Sequence, residues 1–188
     1  MAMLTRERII AAARNTVERD GHEQVSVRKL ASELGVTAPA LYDHVASKDE
    51  VLRAVAEQGY VALGEVSSVA DELDRPIDRV RARALAYVEF ARTHPELFRV
   101  MFMFRPAAVA IEADNELGAA SEVFEAGQAD LARAIAAGDL GGHDPVHLGL
   151  TMWAAVHGVA TVSIIAPPVG ASVAETVVDA MLAGLRPS

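Results

Sequence analysis

The chain of 188 residues contains no cysteine. That excludes a disulfide framework, a thiolate zinc site and a cysteine nucleophile at once, and it fits a cytoplasmic protein. No segment shows the strict alternation of a half-buried strand, and there is no internal repeat or low-complexity tract. The start, Met1-Ala-Met-Leu-Thr-Arg-Glu-Arg8, carries charge at once and no apolar run, which argues against a signal peptide. Basic charge is scarce. Seventeen Lys and Arg stand against 26 Asp and Glu, for a net charge of −9. Taken whole, that balance argues against a nucleic-acid partner.

The distribution of charge reverses this reading. Residues 1–56 hold eight basic and eight acidic side chains, while residues 57–188 hold nine and eighteen. The excess acid therefore lies entirely outside the N-terminal segment. Charge is missing altogether from Pro145 to Ala174. That run is long enough to cross a bilayer, but His147, His157, Gly149, Gly158 and the Pro167-Pro168 pair interrupt it, so a helix in a core or subunit interface is expected, with no membrane partner.

What is present is helical periodicity almost throughout. The spacing predicts helices over residues 6–20, 27–34 and a third after Thr37, with a fourth opening at Ser47-Lys-Asp-Glu50 and running to about Val69. Others are predicted over 76–93, 95–104, about 117–137 (with an extension after Arg105-Pro106), 145–166 and 172–185. Pro167-Pro168-Val-Gly170 reads as a break. The fold expected is all-α, of about nine helices: an N-terminal three-helix domain over residues 1–50, and a larger helical domain over 51–188.

Ser26-Val-Arg-Lys-Leu-Ala-Ser-Glu-Leu-Gly-Val-Thr-Ala-Pro-Ala-Leu-Tyr-Asp-His44 carries the chemistry. Ser26 and Thr37 are N-caps, and Gly35 allows the tight turn between two short helices. Thr37, Ala38, Pro39 and Ala40 keep the tip of the second helix slim, so backbone can approach base edges and thymine methyls. Tyr42 and His44 are expected to reach phosphate or base edges; the competing reading makes Tyr42 a half-buried packing residue and leaves Arg28 and Lys48 solvated. Lys48 adds a cation at the start of the next helix, and Arg28 opens the helix that crosses the DNA backbone.

These residues, with Gly35-Val-Thr, Leu41-Tyr-Asp-His44 and Ser47-Lys-Asp-Glu50, closely resemble the TetR family of bacterial transcriptional regulators. The resemblance covers residues 5–56 by motif. It implies an all-α homodimer on a near-palindromic operator, usually a repressor released by a small ligand. One position departs from the family pattern: Val45 stands where phenylalanine is usual.

Two C-terminal features suggest where a ligand binds. His94-Pro-Glu-Leu-Phe-Arg-Val-Met-Phe-Met-Phe104 is dense in Phe and Met, which suit apolar or aromatic ligands. Trp153, His157 and Gly158 resemble a subgroup of TetR C-terminal domains marked by a Trp…His-Gly motif. The candidate ligand residues are Phe90, Phe98, Met101, Phe102, Phe104, Phe124, Trp153 and His157; plain core packing is the competing reading of all of them. The last two helices are the expected dimer interface, where Ala154, Ala155 and Gly158 allow close approach.

Other functions find less support. His143, Asp144 and His147 could be imagined on a metal, but no clear third ligand accompanies the histidine pair. No nucleophile–base pair, phosphate loop or spaced carboxylate pair is legible, so no enzyme, cofactor or metal is expected. A ligand-binding module without DNA activity remains the alternative.

Overall fold

The computed structural model describes residues 3–104, 117–142 and 144–187. Among them the chain is helical, with no strand: α1 (Arg6–Asp20), α2 (Val27–Leu34), α3 (Ala38–Tyr42), α4 (Lys48–Ser67), α5 (Pro76–Thr93), α6 (Pro95–Met101), α7 (Gly118–Ala136), α8 (Pro145–Ile165) and α9 (Pro167–Gly184). The extension expected after Arg105-Pro106, and His143 of the imagined metal group, lie outside the described residues.

Local chemistry sets the helix starts. The hydroxyls of Thr5, Ser26, Thr37 and Ser47 each accept a hydrogen bond from the backbone N–H three residues on. Asp144 does the same for α8. Gly35 ends α2 in the left-handed region, at φ 69° and ψ 33°, and the Val36 N–H closes back on the Ala31 carbonyl at 2.9 Å.

Three boundaries differ from the sequence reading. Pro167 and Pro168 do not break α9 but begin it, because the first helical turn needs no N–H donors. α6 ends at Met101 instead of running to Phe104. α4 gives way at Ser68 to a 3₁₀ turn through Glu72, which hands the chain to α5.

A single hydrophobic core joins the N-terminal helices to the rest. α4 is its axis. It packs on α1 at one end and on α5, α6 and α7 further along, and α1 also touches α6. Val51, Leu52, Val55, Ala56, Tyr60 and Leu63 form its buried stripe. Gly59 admits the Met101 side chain, since a Cβ there would lie 2.7 Å from Met101 Cγ.

α8 and α9 form a hairpin against α5. At Gly170 an added Cβ would overlap the Ser163 backbone, so this glycine sets how closely the two helices approach. Among the described residues, α8 is the one helix long and apolar enough to cross a membrane. One of its faces is buried on α5, α7 and α9 through Leu148, Met152, Val156, Val159 and Ala160, while Thr151, Ala154, Gly158, Thr161, Val162 and Ile165 are exposed.

Candidate DNA interface and ligand cavity

The helix-turn-helix is held from beneath. Leu41 and Val45 are buried in the N-terminal core, and Leu30 and Ala31 meet them from α2. This fixes the outer face of α3. Tyr42 is 54% exposed, and Thr37, Pro39 and His44 are exposed beside it, while Ala38 and Ala40 are half-buried. Arg28 is exposed on α2. Lys48 is half-buried, and its Nζ donates to the Glu23 carbonyl at 3.5 Å, which holds it on the same side as the α2 entry.

Glu50 locks this unit to α4. Its Oε2 accepts from the Ala46 N–H at 2.6 Å, and its Oε1 pairs with Arg6 of α1 at 3.1 Å. The Ala46 N–H and then the Arg6 guanidinium hold its carboxyl below the usual carboxylate range. The start of α4, the end of α3 and α1 are thereby tied at one point.

A cavity of about 550 Å³ lies between α4, α5, α7 and α8. That volume suits a small organic ligand. Tyr60, Leu63 and Gly64 of α4 form one wall, with Ala84 and Tyr87 of α5, Ala120 and Leu131 of α7, and Met152 and Val156 of α8 around them. Of the candidate ligand residues, Phe102, Phe124 and Trp153 line it. Phe90, Phe98, Met101, Phe104 and His157 are not on its wall. Phe90, Phe98 and Met101 are packed in the core, with Phe104 half-buried against it.

His157 stands just behind the wall. Its Nδ1 lies 2.9 Å from the Tyr87 hydroxyl, and its ring stacks on Phe98 at 5.6 Å and rests near Trp153 at 5.3 Å. Burial favours the neutral imidazole and lowers its pKa. Burial likewise pushes the Tyr60 and Tyr87 hydroxyls up, so both stay protonated.

Sequence reasoning missed the polar end of this cavity. Arg83 of α5 and Asp71 of the 3₁₀ turn line it, and Asp130 of α7 is fully buried behind Arg83. The signal was available: Asp130 sits beside Leu131 on the otherwise apolar inner side of α7, where an acid needs a buried partner. Among the described residues no group of three metal-ligating side chains comes together.

Comparison with known proteins follows the same division. Residues 9–55 match the family model for bacterial regulatory proteins of the tetR family, and residues 80–185 match that for tetracyclin repressor-like C-terminal domains. An HTH-type transcriptional regulator of Saccharopolyspora erythraea is 48% identical over 50 residues, 27% of this chain and only 21% of that protein. An HTH-type transcriptional regulator of Mycobacterium tuberculosis is 29% identical over 167 residues, 84% of this chain and 69% of the relative. A solved structure of a protein from Rhodococcus sp. RHA1 superposes with a TM-score of 0.80 at 30% identity, covering 99% of this chain and 97% of the other.

Proposed function

The chain belongs to the TetR family of transcriptional regulators, and from that premise we propose that it is a homodimeric repressor released from a near-palindromic operator by an apolar or aromatic effector. The observation that carries this reading is the double duty of α4. Its first residue, Lys48, stands beside the recognition helix, and Tyr60 to Gly64 of the same helix form a wall of the cavity. The sixteen helical steps from residue 48 to residue 64 span about 24 Å. A rigid rod of that length turns a small change at the cavity into a displacement of the DNA-binding end.

In this account residues 1–50 contact DNA and residues 51–188 hold the effector and the partner subunit. Arg28 and Lys48 meet phosphate, while Thr37, Ala38, Pro39, Ala40, Tyr42 and His44 face the major groove. The net neutral N-terminal segment gives each subunit few cations, so affinity depends on two copies acting together. The uncharged faces of α8 and α9, exposed at Ala154, Gly158, Val169 and Ala180 and half-buried at Val173, support pairing of two subunits through a four-helix bundle.

The effector works by binding better to a form whose recognition helices are wrongly spaced. Only that difference in affinity shifts the equilibrium. Phe102, Phe124 and Trp153 are the aromatic contacts expected for it, with His157 behind them. The site is cytoplasmic, where the operator is.

Selection of bound DNA from a random library tests the reading. Two inverted half-sites about 10 base pairs apart, centre to centre, are the expected result. Failure to enrich any sequence would leave a ligand-binding module without DNA activity.

A further inference from the structure

The cavity wall is largely apolar, with Tyr60, Tyr87 and Gln128 among its polar members, and one end of it is built around Arg83. Its guanidinium uses three nitrogens on three partners. Nε donates to Asp130 Oδ2 at 2.5 Å, Nη1 to the Ser67 carbonyl at 3.4 Å, and Nη2 to Asp71 Oδ1. The two carboxylates differ sharply. Asp130 is 0% exposed and is also held by Arg133 at 2.6 Å, whereas the Asp71 side chain is 55% exposed. Asp130 is thus a permanent counter-charge, and Asp71 a peripheral one.

Arg83 is itself only 15% exposed in its side chain, and among the described residues it is the only basic group on the cavity wall. Two cations, Arg83 and Arg133, face two carboxylates here, so the cluster is balanced only while Asp71 stays in place. Asp71 gains little from its bond, because an exposed carboxylate exchanges it for water at small cost. A carboxylate arriving from the cavity can take the same Nη2 in place of Asp71 and keep the charge balanced, while its apolar body gains burial that Asp71 does not have. Glu65 and Glu122 also line the cavity, but both are exposed and solvated at its rim.

We propose that the cavity takes an amphipathic anion, an acyl or aryl carboxylate, whose headgroup replaces Asp71 on Arg83 while its apolar body lies against Ala84, Ala120, Leu131, Met152 and Val156. The proposal rests on the reading of this cavity as the effector site. It also specifies the first movement. Asp71 belongs to the 3₁₀ turn, Ser68–Glu72, that joins the end of α4 to α5. Releasing Asp71 from Arg83 removes one of the ties between that turn and α5, the Arg83 bond to the Ser67 carbonyl being another, at the end of the helix whose other end carries Lys48.

The test uses the full chain and two probes of equal length, decanoate and decanol. Trp153 is the only tryptophan in the chain and lines the cavity, so its fluorescence reports occupancy. Decanoate should bind about tenfold more tightly than decanol, the reverse of their order in transfer to an apolar phase. Asp71→Asn, at an exposed site, should tighten decanoate about fivefold further and leave decanol within about twofold. Decanoate binding no tighter than decanol, or an Asp71→Asn protein with unchanged decanoate affinity, overturns the anion site while leaving the cavity as an apolar ligand site. Binding of neither probe, with calorimetry agreeing, overturns the effector reading of the cavity and this proposal with it.

Discussion

The hydroxyl of Tyr87 on α5 lies 2.9 Å from Nδ1 of His157 on α8, directly behind the cavity wall that Tyr87 and Trp153 help to form. A polar pair inside an aromatic cluster orients the groups around it, and losing one partner leaves the other without its bond. Tyr87→Phe is expected to lower stability by about 1–3 kcal/mol, measured by denaturant unfolding. A change within experimental error would mean that water replaces the lost bond.

The same histidine sets a pH dependence. Its pKa is lowered in the folded chain by burial, so the unfolded chain takes up a proton first as pH falls. His157 therefore contributes no loss of stability above the unfolded value of about 6.5, and a progressive loss as pH drops from there toward the folded value. The unfolding midpoint should fall between pH 7.5 and 5.5, and it should fall less in His157→Phe. Equal slopes for the two proteins would remove His157 from the account.

Glu50 gives a second, more acidic window. Its folded pKa is depressed, chiefly by the Ala46 N–H, so its contribution is present above the ordinary carboxylate range and lost as pH falls through the folded value. Glu50→Gln is expected to cost about 1 kcal/mol at neutral pH, a modest figure because solvent screens the Arg6 pair. Thermal melts of the two proteins at pH 7 and pH 3 should converge at the lower pH.

Two glycines on the α8–α9 hairpin can separate folding from the proposed subunit pairing. Gly158 is exposed, and an added Cβ there meets nothing. Gly158→Leu should leave secondary structure intact, shift the protein to monomer in light scattering, and weaken operator binding by about a hundredfold as the paired half-sites lose their linkage. Gly170→Ala, which would overlap the Ser163 backbone, should instead cost about 1–3 kcal/mol in folding. A Gly158→Leu protein that stays dimeric would place the interface elsewhere.

The helix-turn-helix was legible because its residues act locally. Ser26, Gly35, Thr37 and Ser47 each do one backbone job within four residues of themselves, and that job shows in the sequence. The start of α9 was less legible, since a proline pair reads equally as a stop and as a first turn. The cavity was harder still. Phe98 and Met101 carry the same apolar signal as Phe102 and Trp153, and only tertiary packing decides which faces empty space. Arg83, Asp71 and Asp130 come from three elements 12 to 59 positions apart, so no local pattern joins them.

The central claim is that α3 and the start of α4 read DNA, and titration of a library-selected operator with Tyr42→Ala and Lys48→Ala proteins at several salt concentrations tests it most directly. Both side chains lie outside the core, so the variants should fold and dimerise as the parent does. Tyr42→Ala is expected to weaken operator binding by about tenfold or more. Lys48→Ala should weaken it uniformly across sequences and reduce the salt slope by about 1 for each subunit. Unchanged affinity and an unchanged salt slope in both variants would contradict the account.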